Sequence, residues 1–224
     1  PLTNDQLKAM LGFTLSGETK DVRIRAEINR YRPHGTTQET NNFYAFAAVK
    51  DDGSVISWGN SSLGGDSSSV ASQLQSDVSQ IFSTFGGAFA ALKGDGSVIT
   101  WGSSANGGDS SSVSSQLQSD VIQIFSNGHA FAALKGDGSV VTWGYPSHGG
   151  DSSSVASKLQ SGVSEIFATN GALAALKDDG SVVIWGDPGH GGDSSSVASQ
   201  LQSGVSKIFS TGLAFAALKG DGSV

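Results

Sequence analysis

The chain has 224 residues, a net charge of −7 and no cysteine. The charge is uneven, because residues 43–224 carry seven Lys or Arg against fifteen Asp or Glu, which is a net charge of −8. An acidic body of this kind repels a phosphate backbone, so we expect no nucleic-acid partner. The lack of cysteine excludes disulfides and thiolate metal sites. No apolar run approaches the roughly 20 residues of a membrane-spanning helix, so we expect no membrane insertion.

Residues 1–42 form a distinct N-terminal segment. Residues 3–6 have the spacing of a capping box, and the apolar residues that follow predict a short helix. Val22–Ile28 alternates apolar and polar residues, as a half-exposed strand does, and residues 33–42 predict a polar loop. All four arginines lie in this segment, at Arg23, Arg25, Arg30 and Arg32. We interpret them as the solvated side of an edge strand, where their charge disfavours pairing with a further strand. The alternative is a binding site for an acidic partner.

From residue 43 onward, a block of 42 or 43 residues recurs. Its Trp-Gly pairs are spaced by 43, 42 and 42 residues, and the one extra residue lies within residues 81–87. A period of about 40–45 residues with one Trp per unit is typical of stacked sheets such as propeller blades. We therefore divide the chain into the segment 1–42 and a repeat domain at 43–224. The pairs are Trp58-Gly59, Trp101-Gly102, Trp143-Gly144 and Trp185-Gly186.

The repeat at residues 121–162 shows the elements of one unit. Val121–Phe125, Ala130–Leu134 and Ser139–Trp143 predict three short strands. Gly136-Asp137-Gly138 predicts a tight hairpin turn between the last two, since Gly accepts the positive φ that such a loop needs. One unit is therefore expected to be a three-stranded antiparallel sheet. Because so small a sheet is marginal alone, we expect the sheets to stack, with each Trp filling the gap between neighbours.

The serine-rich stretch 149–162 is expected to connect one sheet to the next. An Asp or Ser cap, apolar residues four apart and Gly162 just beyond them predict one or two turns of helix. In the first two connectors, Asp77 and Asp120 stand in place of this Gly, and the sequence leaves their left-handed conformation undecided. The motif Gly-Gly-Asp-Ser-Ser-Ser also has the composition of a phosphate cradle. It lacks the lysine of a P-loop, so we prefer the helix-capping interpretation.

The repeat resembles the RCC1-like family, named for regulator of chromosome condensation. The pattern that carries the resemblance runs through residues 43–224: Val-x-x-Ile-(x)-Gly-x-x-Ala-x-Ala-Leu-Lys-x-Asp-Gly-x-Val-x-x-Trp-Gly-x-x-x-x-Gly. Within the family, it is most similar to bacterial versions. These include repeats of large exported surface proteins and the β-lactamase inhibitory propeller proteins. The latter share the Ser-Gly-Val that stands here at residues 161–163 and 203–205. The resemblance implies an all-β propeller of four-stranded blades, with binding surfaces formed by the loops.

The resemblance also raises the question of how many blades the chain has. Family propellers close with seven blades, whereas this chain has about five repeats, so it is either a fragment or a smaller ring that Val22–Ile28 completes. We favour the fragment. We expect Val22–Ile28 to pair with the first repeat, and we expect an open C-terminal edge through which the chain self-associates. The histidine typical of the family is kept only at His129; the equivalent positions are Gly87, Gly171 and Leu213.

Several motifs carry a chemical alternative. The Lys-Asp-Asp-Gly-Ser and Lys-Gly-Asp-Gly-Ser segments begin like a calcium loop but lack its further ligands, so we predict hairpin turns. His148 and His190 occupy one place in successive repeats, and stacking could bring them near Asp151, Asp187 or Asp193. Two histidines without a neighbouring group to orient their rings are more typical of exposed loops, so we expect no metal and no cofactor. No serine lies on a Gly-x-Ser-x-Gly elbow, and we expect no enzyme activity.

The four residues between each Trp-Gly and the following Gly-Gly-Asp change freely from repeat to repeat, while the rest is nearly constant. Variable loops on a constant scaffold are how binding surfaces are usually built, and drift in unconstrained loops is the alternative. Tyr145 favours binding, because an exposed tyrosine is a typical anchor. The candidate binding residues are Asn60, Leu63, Asn106, Tyr145, His148, Asp187 and His190.

These features predict a non-catalytic binding or adhesion module of a bacterial exported or surface protein. Its partner is expected to be a protein or a cell-surface ligand, and its location is expected to be secreted or on the cell surface. The alternative is a soluble inhibitor or regulator that docks one propeller face on a partner enzyme or a GTPase.

Overall fold

The structure, a computed structural model, describes residues 42–224, so the helix and strand predicted earlier in the chain lie outside it. The described chain is all-β apart from short 3-10 helices, and it forms five antiparallel sheets in chain order. The predicted all-β repeat architecture is therefore confirmed. Each complete sheet has three strands rather than the four that the resemblance implies, and the first and last sheets have two. No helix in residues 42–224 is long and apolar enough to cross a membrane.

Each sheet is a meander in which consecutive strands pair. The middle strand of a complete sheet is buried along nearly its whole length. The first two sheets contain β1 (Ala45–Val49), β2 (Val55–Gly59), β3 (Val78–Ser83), β4 (Ala88–Lys93) and β5 (Val98–Gly102). The last three contain β6 (Val121–Ser126), β7 (Ala130–Lys135), β8 (Val140–Gly144), β9 (Val163–Ala168), β10 (Ala172–Lys177), β11 (Val182–Gly186), β12 (Val205–Ser210) and β13 (Phe215–Lys219).

The sheets stack in sequence order, and one apolar cluster lies between each neighbouring pair. Small side chains on the middle strands, such as Ala90, Ala132 and Ala174, are fully buried and let adjacent sheets approach closely. Trp143 and Trp185 are 2% and 3% exposed, which confirms that the tryptophans of the complete sheets are buried. Within residues 42–224, no apolar cluster joins the fifth sheet back to the first.

Each connector contains two 3-10 helices, the first of which begins within the variable loop. The aspartate of Gly-Gly-Asp accepts a hydrogen bond from the first residue of the second helix, as in Asp151 Oδ1 with the Ser153 N–H at 2.8 Å. The motif therefore stabilises the start of a helix, as predicted, but its aspartate does so from one position before the N-cap, Ser152, whose own side chain makes no capping bond. The helices span Ser61–Leu63, Ser68–Leu74, Ser104–Asn106, Ser111–Leu117, Pro146–His148, Ser153–Lys158, Pro188–His190 and Ser195–Val197.

The residue before the first strand of each later sheet is left-handed in all four connectors. Its φ is +71° at Gly162 and +77° at Gly204, and it is +68° at Asp77 and +67° at Asp120. The two aspartates therefore adopt the conformation that the sequence left undecided. Asp tolerates this region better than most residues do, which explains why the substitution is accepted.

The Lys-x-Asp-Gly-Ser segments are hairpin turns, as predicted. In one of them, the Gly138 N–H donates to the Lys135 carbonyl at 2.9 Å, and Gly138 has a φ of +76°. Asp137 Oδ1 accepts the backbone N–H of Ser139 at 2.8 Å, so the carboxylate stabilises its own turn. The side chain and the backbone N–H of Ser139 both donate to this carboxylate and hold the pKa of the Asp137 carboxyl below its usual value.

The two ends of the array expose side chains that are buried in the interior repeats. Phe46 in the first sheet is 52% exposed, whereas the equivalent Phe131 in the third sheet is fully buried. Phe209 in the last sheet is 46% exposed, whereas the equivalent Phe167 is 8% exposed. Since the residue type and position are the same in each pair, the lack of a further neighbouring sheet within residues 42–224 accounts for the exposure.

Candidate functional site

The variable loops all lie at one end of the sheets, beside the turns that join the first and second strands. Backbone hydrogen bonds link these turns from sheet to sheet: the Gly86 N–H donates to Gly128, the Gly128 N–H to Asn170, and the Asn170 N–H to Gly212, at 2.9–3.1 Å. We call these four residues the turn ladder. Because it connects four successive sheets, it holds the turns and the loops beside them on a common face.

In the third and fourth sheets, a buried polar side chain just after the first strand anchors the loop of the same repeat. Asn127 Nδ2 donates to the His148 carbonyl at 2.7 Å, and its Oδ1 accepts the N–H groups of His129 and Ala130, both at 2.8 Å. Thr169 Oγ1 donates to the His190 carbonyl at 2.7 Å in the next repeat. The last residue of each of these loops is therefore fixed against its own turn.

Side chains from three successive repeats meet on this face. Asn106 Oδ1 lies 2.9 Å from His129 Nδ1, and the ring centroids of His129 and His148 are 4.7 Å apart in an edge-to-face arrangement. The His148 and His190 ring centroids are 5.9 Å apart. The result is a row of one amide and three imidazoles that crosses from the second sheet to the fourth.

Two further side chains complete this group. Tyr145 is 44% exposed, and its ring centroid lies 5.1 Å from that of His148. Asp187 Oδ2 lies 2.7 Å from His190 Nδ1 and 3.6 Å from His148 Nε2. We define the loop face as Asn106, His129, Tyr145, His148, Asp187 and His190.

The structure thus brings five of the seven predicted binding residues together. The other two lie at the start of the array. Leu63 packs on the turn at Gly87, where an added Cβ would lie 2.6 Å from the Leu63 Cβ. Asn60 is exposed, and its Oδ1 accepts the Ser62 N–H at 3.0 Å, so this side chain stabilises its own loop. Asp151 and Asp193 cap connector helices and lie outside the loop face.

Burial and neighbouring charges set the protonation states on the loop face. Partial burial lowers the pKa of His129 below its usual value, and the nearby His148 and His190 lower it further. The Gly189 N–H, and then the hydrogen bond with His190, lower the pKa of the Asp187 carboxyl. At neutral pH the loop face therefore presents an ionised Asp187 carboxylate and an uncharged His129 imidazole.

The sequence interpretation missed two contributions to this site. His129 lies outside the variable loops, so the sequence marks it only as a family feature, yet in the structure it lies between Asn106 and His148. The anchoring position was also missed. A signal for it exists, because Thr or Asn always follows the first-strand motif, at Thr84, Asn127, Thr169 and Thr211, and Asn42 holds the equivalent place ahead of the first repeat.

A groove of about 520 Å³ lies elsewhere, between the connector helix Ser111–Leu117 and strand β8. Its two carboxylates, Asp109 and Asp151, accept the N–H groups of Ser111 and Ser153 as helix caps. Because both carboxylates of this groove already hold helix N–H groups, the loop face is the stronger candidate for a binding site.

Comparison with known proteins identifies neighbours at the level of solved structures. No protein-family profile and no curated protein sequence matches the chain. Human WBSCR16 aligns with a TM-score of 0.49 and 22% identity, over 80% of this chain and 57% of its own. Prp20p from Saccharomyces cerevisiae, described with its binding properties to Gsp1p and histones, aligns with a TM-score of 0.48 and 18% identity, over 80% of this chain and 49% of its own.

Yeast RCC1 (Prp20) in complex with Kap60 aligns with a TM-score of 0.42 and 17% identity, over 64% of this chain and 40% of its own. The structural neighbours thus include RCC1 itself, for which the sequence pattern is named. The chain spans about half the length of these structures. At identities of 17–22%, the likeness to these structures concerns the fold alone.

Proposed function

We propose that the chain is a non-catalytic binding module whose loop face takes a protein or cell-surface ligand. The proposal is supported by one observation above all: variable side chains from three successive repeats meet on one face, over a scaffold that hardly changes. Loops held by a rigid scaffold are where binding residues concentrate. The anchoring bonds of Asn127 and Thr169 provide that rigidity here.

The composition of the loop face fits a protein ligand. Tyr145 offers an exposed ring that packs on His148, and such aromatic residues dominate the energetics of protein interfaces. Asp187 and the histidines add hydrogen-bonding groups to the same face, as in the polar rim of an interface. A ligand with an apolar or aromatic side chain flanked by donors would match this arrangement.

The test is binding of the fluorescently labelled chain to intact bacterial and animal cells, measured as a function of concentration. Tyr145→Ala should weaken saturable binding by more than about tenfold, because it removes the anchor. The matched control is Lys135→Ala, at the opposite end of the same sheet, which should bind like the unmodified chain. Lys135 Nζ contacts only the Gln116 carbonyl among the hydrogen-bond partners described, at 3.2 Å.

Two results would contradict the proposal. Saturable binding that Tyr145→Ala leaves intact and Lys135→Ala removes would place the ligand at the hairpin end. Absence of saturable binding to every cell type would remove the adhesion function and leave the inhibitor or regulator of a soluble partner as the remaining class.

We further propose that the module belongs to an exported or surface-displayed bacterial protein, a proposal that rests on the resemblance of its repeats. We also propose that copies of the 224-residue chain associate through the last sheet. The exposed Phe209 supports this, because the equivalent side chain is covered by a neighbouring sheet in the preceding repeat.

A further inference from the structure

The loop face also holds a set of ligand atoms that would suit a metal ion. His148, Asp187 and His190 each offer one donor atom, and the three atoms lie within 4.8 Å of one another. They come from the loops of two neighbouring repeats. The sequence alone predicts no metal here, because it shows no partner that would orient the histidines.

The structure supplies those partners. Ser147 Oγ lies 3.0 Å from His148 Nδ1, which leaves His148 Nε2 facing the Asp187 carboxylate at 3.6 Å. Asp187 Oδ1 accepts the Gly189 N–H at 2.8 Å, which holds the carboxylate with Oδ2 towards both rings. Hydrogen bonds of this kind, made by the outer atoms of a ligand, orient it and raise its affinity for a metal.

Gly171 makes room for the two imidazoles. A Cβ at this position would lie 2.9 Å from His148 Cδ2 and 3.0 Å from His190 Nδ1, so any side chain would push the rings away. The equivalent positions in the neighbouring repeats hold His129 and Leu213. The fourth sheet is therefore the one whose turn allows two loop histidines to approach each other.

We propose that His148, Asp187 and His190 form a binding site for a divalent transition-metal ion, with Zn²⁺ as the natural occupant. Imidazole and carboxylate ligands suit Zn²⁺, and three protein ligands leave a fourth position for water. Ligand distances of about 2.0–2.2 Å place tetrahedral donors about 3.3–3.6 Å apart. The His148–Asp187 distance already has this value, and the His190–Asp187 hydrogen bond must open slightly.

Binding at His190 Nδ1 requires the neutral tautomer with its proton on Nε2. The hydrogen bond that now joins Nδ1 to Asp187 is then replaced by two bonds to the metal. The carboxylate is ionised at neutral pH, and the repeat domain as a whole is acidic, so a dication is attracted to the site. This inference does not depend on the proposed binding function.

The test titrates Zn²⁺ into the chelator-treated chain in competition with a chromophoric chelator, and it uses Co²⁺ as a spectroscopic probe of coordination. Each ligand is replaced by the residue that another repeat carries at that place: His148→Asn, His190→Asn and Asp187→Ser. We expect one equivalent of metal in the unmodified chain and at least about tenfold weaker binding in each variant. Circular dichroism of each variant checks that it remains folded.

Two further variants separate the geometry from the mere presence of imidazole. Gly171→Ala leaves every ligand in place but separates the rings, and it should weaken binding by about tenfold as well. His34→Asn removes the one histidine that lies outside the described residues, and it should bind like the unmodified chain. Three results would each overturn the site. Metal could still bind after His148→Asn and His190→Asn, binding could be lost with His34→Asn, or the unmodified chain could fail to bind metal.

Discussion

At the scale of single residues, tryptophan joins each sheet to the loop of the sheet before it. Trp143 Nε1 donates to the Gly107 carbonyl at 3.0 Å, and its ring stacks on Phe131 with centroids 5.2 Å apart. Trp101 and Trp185 make the same bond to Gly64 and Gly149. The indole therefore satisfies a loop carbonyl and fills the space between sheets at the same time.

Replacing this residue should be costly. Trp143→Ala should lower the free energy of unfolding by about 3–5 kcal/mol, because it removes a fully buried ring and leaves a cavity. Trp58→Ala is the matched control: Trp58 lies in the first sheet and is partly exposed, so we expect about 1–2 kcal/mol. Urea unfolding of both variants measures the difference. A Trp143→Ala cost below about 1 kcal/mol would show that the ring is exposed in solution.

His129 should make the fold sensitive to acid. Its pKa in the folded chain is lower than its usual value of 6.5, because burial and two neighbouring histidines disfavour the charged form. The unfolded chain therefore binds more protons between the two pKa values. Above about pH 6.5, His129 is neutral in both states and does not lower the free energy of unfolding. As the pH drops from that value towards the pKa in the folded chain, only the unfolded chain takes up the proton, and the free energy of unfolding falls.

The measurement compares unfolding at about pH 8 and about pH 5 for the unmodified chain and for His129→Gln. The unmodified chain should lose more stability than the variant over this interval. An equal loss in both would contradict the assignment, and so would an imidazole resonance of His129 that titrates at or above the ordinary value.

At the scale of elements, the Gly-Gly pair of each connector lies against the sheet that follows. Gly107 has a φ of +101°, and a Cβ there would lie 2.6 Å from the Phe131 ring. Gly149 has a φ of +98°, but its nearest neighbour is Leu173 Cδ1 at 3.0 Å. The two positions thus share the same backbone requirement and differ in how closely the next sheet approaches.

This difference predicts the cost of a single methyl group. Both Gly107→Ala and Gly149→Ala should destabilise the fold, because neither φ suits an L residue. Gly107→Ala should cost about 1 kcal/mol more, since the aromatic ring must also shift. Thermal unfolding of the two variants checks the order. A greater loss in Gly149→Ala would contradict the packing described for the second connector.

The elements themselves were largely predictable from the sequence, because their signals are local. The Gly136-Asp137-Gly138 turn, the β-branched strand after it and the capping Asp151 each require only neighbouring residues. The left-handed Asp120 was not predictable with certainty. An Asp there is accepted because the facing residue is Gly136, where a Cβ would lie 2.7 Å from Asp120 Oδ1.

The candidate site was predictable only in part, since it depends on distances between repeats. The variable loops marked five of its members, but the approach of His148 to His190 follows from the missing side chain at Gly171. The extra residue of the first interval is another such case. Phe85 stacks on Phe43 with ring centroids 5.6 Å apart, a contact between sheets that the period alone does not show.

At the scale of the whole molecule, the described array has four filled interfaces between five sheets and two uncovered ends. The last sheet exposes Phe209, and Lys207 Nζ lies 5.0 Å above its ring. The Lys207 side chain covers part of the Phe209 ring, but no sheet packs against this face within residues 42–224. In every interior repeat, the equivalent face packs against the next sheet. A second copy of the chain could cover this face of the last sheet in the same way.

The 224-residue chain should therefore associate as its concentration rises, and light scattering after size exclusion measures the mass. Phe209→Ser should shift the equilibrium towards monomer, because it removes apolar surface at the uncovered end. Ile122→Ser is the control, since Ile122 is 60% exposed but lies on an interior sheet. A chain that stays monomeric at all concentrations, or one in which Ile122→Ser has the larger effect, would contradict association through the last sheet.

The central claim is that loops of successive repeats converge on one face, and nuclear Overhauser contacts between histidine rings test it most directly. The chain has four histidines, so single substitutions assign every imidazole resonance. We predict contacts that connect His129 to His148 and His148 to His190, whose ring centroids are 4.7 Å and 5.9 Å apart. Folded chain that shows three isolated imidazoles, without these contacts, would contradict the stacking geometry and the loop face together.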